Sequence, residues 1–342
     1  MKAALFHEHG GPEVLRVEDV DAPELGAGDV RIGVRACALN RLDLFVREGW
    51  PGLRLPLPHV GGTDVAGVVA EVGTDVAGVA VGDEVLVDPG LSFRADPETG
   101  EQVVPDEVSI VGETRWGGLA EECVVPATHV VRKPPAMGWE TAAALPLASI
   151  TAMQMVKRKG RVGPGDRVLV IGAGGGVSTM ALQIAKSLGA WVAATTGGPE
   201  KAGKVAALGA DLVVDYKADP EWWKALYRAT EKRGFDVVID SVGHATWKHS
   251  LRSLARGGRL VTCGATTGPV GETDIRLVFW KQLSILGSTM GVPQDLHDAV
   301  AMWEDGSLKV HVDSVWPLEK VREAQEHMAR AAHFGKIVVR PR

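Results

Sequence analysis

The sequence predicts an α/β protein, a small barrel-like β domain followed by a doubly wound parallel sheet. Three observations predict it. Residues 1 to about 135 read as short, Val-rich strands cut by Gly, Asp and Pro. After about residue 148, strand and helix patterns alternate five times. At the first alternation a run of glycines separates strand from helix.

In the first half, "DVRIGVRA" alternates apolar with polar residues. "VAGVVAEVG", "GDEVLVDPG" and "ECVVPATHVVRKP" are further short strands bounded by turn residues. Close spacing of such strands suits a small barrel. Between the first two lies "ACALNRLDLFVREGW", Ala36 to Trp50. It sets Asn40, Arg41, Asp43 and Arg47 among Leu39, Leu42, Leu44 and Phe45. An active site, a metal site and the wet side of a turn are all compatible with it. The stretch from Phe93 to Gly118 is long, polar and punctuated by Gly and Pro, and reads as a surface excursion.

In the second half, "DRVLVIG" is a buried-strand run and "GVSTMALQIAKSLGA" has helical spacing. "WVAATT" is a strand, and "PEKAGKVAALGA" a helix with Pro199 in its first turn and Gly209 just past its end. "DLVVDY", "DPEWWKALYRAT", "FDVVID", "ATWKHSLRSLA" and "GRLVTCG" continue the alternation. Such a rhythm implies a parallel sheet covered on both faces. The tail from "PQDLHDAVAMWEDG" to "GKIVVR" mixes helix and strand.

Bulk properties narrow the function. The 342 residues suit two domains, and 45% hydrophobic with 23% charged residues suits a globular protein. A net charge of −6 without long charge runs argues against a nucleic-acid footprint or a polybasic membrane patch. The N-terminus "MKAALFHEHGGPEV" shows no signal-peptide pattern, and no apolar run approaches the ~18 residues of a membrane span. Cys37, Cys123 and Cys263 form no CxxC pair. A reduced, cytoplasmic setting is the expectation.

"VLVIGAGGGVSTMALQIAKSLGA" places Gly172, Gly174, Gly175 and Gly176 at a strand-to-helix turn. Glycines let the backbone approach a pyrophosphate, whose charge sits at the helix N-terminus. A tight turn also needs glycine without any ligand, and Val177 and Ser178 stand where a last glycine is usual. The surrounding alternation favours a dinucleotide. An NAD site usually carries an acid about 20 residues on, at the end of the second strand. That end reads "ATTGG", with no carboxylate before Glu200. Thr195, Thr196 and backbone amides there suit a 2′-phosphate, with Lys201 reaching it by charge and Tyr216 by hydroxyl or stacking. NADPH is therefore expected over NADH. Lys201 as a solvated helix lysine and Tyr216 as a packing aromatic are the plainer alternatives.

The motifs "PHVGGTDVAGVVAEVG", "VGDEVLV", "IGAGGGVS", "LGADLVVDY" and "DVVIDSVG", in this order, resemble the medium-chain dehydrogenase/reductase superfamily over essentially the whole chain. Its quinone oxidoreductase and zinc-type alcohol dehydrogenase-like branches are the most similar. The resemblance implies a GroES-like domain at 1–148, completed by 293–342, a Rossmann domain at 149–292, and an active site in the interdomain cleft. The positions that hold catalytic zinc in the alcohol dehydrogenases fall on Asn40, Thr63 and Leu147. The excursion matching the structural-zinc lobe has no cysteine. Zn²⁺ takes thiolate, imidazole or carboxylate, so neither zinc is expected. A substitute site from Cys37, His59 and Asp64 is an open alternative, without ligand spacing to support it.

The resemblance also implies roles for single residues. Asn40 lines the pocket beside the nicotinamide, donating to a substrate carbonyl or placing the cofactor. Its alternative is a turn or cap. Asp43 is the second candidate catalytic residue, or a support for the loop paired with Arg41 or Arg47. Arg47 facing a polar substrate is a further alternative. Thr151 packs on the nicotinamide. Gly264, Ala265 and Thr266 face the carboxamide. Ser241 to Gly243 lie beneath the adenosine and ribose. Gly174, Gly175, Gly176, Val177, Thr196, Lys201 and Tyr216 complete the cofactor contacts.

Without a metal, hydride transfer to an electron-poor carbon is the easier chemistry. Quinones and α,β-unsaturated carbonyls place the resulting charge on an oxygen that hydrogen-bond donors stabilise. The sequence thus predicts a zinc-independent, NADPH-dependent oxidoreductase acting on a small electrophile. A zinc-type alcohol or aldehyde dehydrogenase and a non-catalytic NADPH-binding regulator are the alternatives. "KQLSILGSTMG", Lys281 to Gly291, is apolar and extended enough to pair subunits in a homodimer or homotetramer.

Overall fold

Strand Asp29–Ala38 organises the first of two units into which the chain divides. A computed structural model describes residues 1–219 and 221–341. The first unit comprises Met1–Leu147, Val292–Glu304 and Val310–Arg342, and the second Ala148–Gly291 with Asp305–Lys309.

In the organising strand Val30, Ile32 and Val34 point to the core while their neighbours are half-buried or exposed, the period-2 pattern of a strand with one wet face. The last three residues, Ala36, Cys37 and Ala38, are all buried. Strands flank this end on both edges: Ala38 pairs antiparallel with Asp64 of Asp64–Val72 and with Val338 of Lys336–Arg340. An antiparallel neighbour starts where its partner ends. The strand starts Asp64 and Lys336 are therefore delivered to the residues just after Ala38. Val130–Arg132, Glu84–Val87 and Val312–Pro317 extend this sheet, and Glu122–Pro126 pairs with Asp29–Ala38. Arg16–Asp19, Lys2–Phe6 and His59–Val60 form a smaller sheet.

Residues Arg41–Glu48 form a helix directly after Asn40, where the sequence suggested a loop. Leu44 and Val46 are buried, as are Asp43 and Arg47. The stretch from Phe93 to Gly118 is only partly a surface excursion. Its Arg94–Ala95 and Gln102–Val103 strands make a small hairpin, but Ile110 and Val111 are buried. A Cβ on Gly117 would stand 2.2 Å from the carbonyl oxygen of Gly62, so two backbones meet there.

The second unit holds six parallel strands in the order Leu212–Asp215, Trp191–Thr196, Arg167–Val170, Phe235–Asp240, Leu254–Thr262, Ser284–Gly287. Numbered along this unit the order is 3-2-1-4-5-6, the doubly wound arrangement. The helix read from "DPEWWKALYRAT" is Trp222–Ala229, and Pro220 lies outside the described residues. The "KQLSILGSTMG" run is not wholly extended. Lys281 ends helix Ile275–Lys281, Gln282 turns at φ 54°, and the strand is Ser284–Gly287 at the sheet edge. Among the described residues no helix is long and apolar enough to cross a membrane.

Candidate functional site

In the first unit the strand ends assemble a buried polar cluster. Asn40 is the N-cap of helix Arg41–Glu48, with extended φ and ψ of −128° and 160°. Asp43, at the third helical position, reaches back to accept from the Asn40 backbone N–H at 2.6 Å. The other Asp43 oxygen accepts from the Gly62 N–H at 2.8 Å and from the Thr63 hydroxyl at 3.4 Å. The Asn40 carboxamide is held elsewhere. Its Nδ2 donates to Asp64 Oδ2 at 2.9 Å, and its Oδ1 accepts from Lys336 Nζ at 2.5 Å. Lys336 Nζ also donates to Asp64 Oδ2 at 2.8 Å. The second Asp64 oxygen accepts from the Leu147 backbone N–H at 2.7 Å. One carboxylate thus ties together Asn40, Leu147 and Lys336.

Burial sets the electrostatics. It pushes the Asp43 carboxyl up to about 6, against the opposing pull of the Asn40 and Gly62 N–H groups. Burial likewise raises the Cys37 thiol, helped by Asp43 and Asp64. Cys37 packs where only glycine fits: a Cβ on Gly62 would lie 2.7 Å from its sulfur. The arginines expected beside Asp43 are not its partners. Arg47 is buried against Gln325, Gly10 and Glu48, which also removes it as a substrate contact.

The donor set does not fit a zinc ion. Lys336 brings a positive charge onto the Asn40 oxygen and the Asp64 carboxylate, so a dication there meets repulsion and occupied lone pairs. Thr63 is turned to Asp43, and Leu147 contributes only an N–H. Of the substitute ligands, Asp64 is engaged by Lys336, and His59 Nε2 contacts the Gly112 carbonyl at 3.2 Å. From the sequence, Asp64 stands out only as a substitute metal ligand, and Lys336 is not singled out. The available signal was a lysine opening the apolar run "KIVV".

In the second unit the glycine turn leads into helix Gly176–Ser187. Gly172 has φ 66°, and Gly175 is the N-cap. Gly174, Gly175, Gly176 and Val177 are half-buried, leaving the first helical N–H groups beside an accessible surface. A Cβ on Gly174 would lie 3.3 Å from Lys201 Cδ and 3.7 Å from both Lys201 Nζ and Thr196 Oγ1. A Cβ on Gly197 would lie 2.7 Å from the Tyr216 hydroxyl and 3.0 Å from Lys217 Cε. Lys201, Thr196 and Tyr216 therefore gather at the end of strand Trp191–Thr196, and Lys217 joins them. This cradle fits the phosphates of a dinucleotide.

Two details differ from expectation. The Thr195 hydroxyl is turned inward and accepts from the Gly172 N–H at 3.1 Å. An acid does reach this strand end, from the next strand: Asp215 Oδ1 accepts from the Gly198 and Lys217 N–H groups at 2.9 Å each. These two bonds hold Asp215 below the usual carboxylate range. Further along, the two expected loops meet. Thr266 Oγ1 donates to the Ser241 carbonyl at 3.0 Å, and a Cβ on Gly264 would lie 3.1 Å from the same oxygen. A Cβ on Gly243 would lie 2.9 Å from Ala265 Cα. Buried Asp240 shapes this turn by accepting from Val242 N, Gly243 N, Thr246 Oγ1 and Ser250 Oγ. Thr151 is buried within helix Pro146–Met153.

Residues 26–135 match the alcohol dehydrogenase GroES-like domain family, and residues 176–305 the zinc-binding dehydrogenase family. The chain is 32% identical to a zinc-type alcohol dehydrogenase-like protein of Schizosaccharomyces pombe, over 99% of each chain. A crystal structure of an NAD-dependent alcohol dehydrogenase superposes with a TM-score of 0.94 at 43% identity, covering 99% of both chains. Escherichia coli quinone oxidoreductase complexed with NADPH superposes at 0.85, with 26% identity over 100% of both. Other relatives are described as crotonyl-CoA reductase, acryloyl-coenzyme A reductase and quinone oxidoreductase-like.

Proposed function

Because the chain belongs to the medium-chain dehydrogenase/reductase superfamily of oxidoreductases, we propose that it is a zinc-independent, NADPH-dependent reductase of quinones or α,β-unsaturated carbonyls. The observation that carries this reading is the Asn40–Asp64–Lys336 cluster. It puts an ammonium and a carboxamide where a metal needs anionic or imidazole donors.

A bound nicotinamide supplies the hydride. The N–H groups at Gly174 to Val177 hold the pyrophosphate at the start of helix Gly176–Ser187. Lys201 and Tyr216, with Thr196 beside them, hold the 2′-phosphate. Thr151, Ser241, Gly264, Ala265 and Thr266 line the rest of the cofactor. Asn40 is the catalytic residue: its carboxamide donates to the acceptor oxygen on which negative charge collects. Asp43 is a positioning residue that fixes the Asn40 backbone through a 2.6 Å bond. Water supplies the proton. We further place the subunit contact of a homodimer or homotetramer at edge strand Ser284–Gly287, beside the exposed Ile275, Phe279 and Trp280.

NADH is the second reading. Asp215 at the Gly198 amide favours it, because a carboxylate near the ribose hydroxyls repels a 2′-phosphate. The test is the initial rate of cofactor oxidation by chelator-treated protein, with 1,4-benzoquinone and a medium-chain 2-alkenal. NADPH and NADH are run in parallel. Turnover with NADPH on either acceptor is the expected result. Silence with both, relieved by zinc with an alcohol and NADP⁺, would assign an alcohol dehydrogenase instead. Cofactor binding without turnover under any condition would assign a regulator.

A further inference from the structure

We propose that Lys336 is a positioning residue that locks the carboxamide of Asn40 in one orientation, so that a defined N–H faces the reacting oxygen. The inference rests on the role given to Asn40 above and adds what makes that role possible. A primary amide has nearly the same shape when its O and N ends are exchanged. Only unlike partners hold one orientation.

The two partners here are as unlike as side chains allow. Oδ1 faces the Lys336 ammonium, which can only donate, at 2.5 Å. Nδ2 faces the Asp64 carboxylate, acceptor-only when ionised, at 2.9 Å. A flip would set NH₂ against NH₃⁺ and a carbonyl oxygen against a carboxylate. Both contacts would turn repulsive in surroundings where the Lys336 and Asp64 side chains are 4% and 0% exposed.

The partners are themselves anchored. Asp64 is held by the Leu147 N–H. The strand carrying Lys336 is tied to the chain just before Asn40 by the Leu39 N–H, which donates to the Ile337 carbonyl at 2.9 Å. One Nδ2 hydrogen is committed to Asp64 at 2.9 Å, and the other makes the longer, weaker bond to the Ala38 carbonyl at 3.4 Å. In this proposal the second hydrogen is the one that a substrate oxygen draws away.

The test compares Asn40→Ala, Lys336→Met, Lys336→Arg and the double variant N40A/K336M. It uses an acceptor the wild type reduces, with NADPH affinity and urea midpoints measured alongside. The expected result is a kcat at least about tenfold lower in K336M, NADPH affinity within about twofold, and substantial recovery in K336R. The double variant is then no slower than N40A, because both changes remove one function. Wild-type turnover in K336M, or losses that multiply in the double variant, would overturn the proposal. Should K336M fail to fold, D64N/K336M replaces the ion pair by a neutral pair of similar size. It is expected to fold and remain slow, since the carboxamide introduced in place of the carboxylate pairs with either end of the Asn40 amide. A wild-type rate in it would equally overturn the proposal. Full activity in N40A would remove the role of Asn40 and this inference with it. A slow N40A beside a normal K336M would remove the inference alone.

Discussion

The Lys336 ammonium stands 2.8 Å from the Asp64 carboxylate, with both side chains almost wholly out of water and 272 positions apart in the chain. Each charge has lost its hydration, and the other charge, the Asn40 amide and the Leu147 N–H replace it with hydrogen bonds. The pair therefore joins the C-terminal strand to the start of strand Asp64–Val72 and holds the candidate catalytic amide between them.

Asp64→Leu leaves Lys336 buried without its carboxylate partner. It is expected to lower unfolding free energy by about 3–5 kcal/mol, and the double variant D64L/K336M to recover most of that loss. Urea denaturation of the wild type, both single variants and the double variant decides it. A double variant as unstable as the singles combined would show that the two side chains act independently.

Asp43 gives stability a pH dependence of unusual sign. Its carboxyl is held at about 6 in the folded protein against an ordinary 3.8. Between those values the native state binds more protons than the unfolded chain, so rising pH favours unfolding. Its contribution is fully present below the ordinary value and is lost as pH climbs through about 6. The stability difference between wild type and Asp43→Asn should shrink from about pH 4 to about pH 7 by something on the order of 3 kcal/mol. A difference that grows with pH would mean that the Asn40 and Gly62 N–H donors outweigh burial.

Gly62 has no room and no allowed alternative. Its φ is 99°, and a Cβ would stand 2.6 Å from the Leu119 nitrogen and 2.7 Å from the Cys37 sulfur. Gly62→Ala is expected to cost several kcal/mol, roughly 3 or more, and to displace the N–H that Asp43 accepts. A thermal midpoint within about 2 °C of the wild type would contradict this.

Lys201→Ala should raise the NADPH dissociation constant by about tenfold or more while leaving NADH binding within about twofold. Fluorescence titration with both cofactors measures it. Equal effects on the two would place Lys201 on a part of the dinucleotide common to both. An improvement in NADH binding on removing Lys217 as well would direct attention to Asp215 as the ribose partner.

Asp43 and Thr195 show where a motif reading falls short. Asn40, Asp43, Thr195 and Thr196 are all legible as polar residues at or just past strand ends. What their atoms bond to is not. Arg41 and Arg47 are near Asp43 in the chain and opposite in charge, yet the backbone N–H groups of Asn40 and Gly62 engage its two oxygens. The Thr195 hydroxyl looks available until the Gly172 amide is placed beside it.

Composition, periodicity and turn chemistry are enough for the architecture. The alternation of Val30, Ile32 and Val34, the glycine turn at Gly172 to Gly176, and the repeated strand–helix rhythm are local patterns, and local patterns report secondary structure because backbone geometry has few solutions. The pairing of Lys336 with Asp64 and Asn40, and the arrival of Asp215 at Gly198, belong to the tertiary structure alone. Antiparallel register brings Val338 and Asp64 to the two sides of Ala38, and parallel register sets Asp215 beside Thr196. Register is decided by which faces can be buried together across the whole sheet, a property that no single stretch of sequence contains.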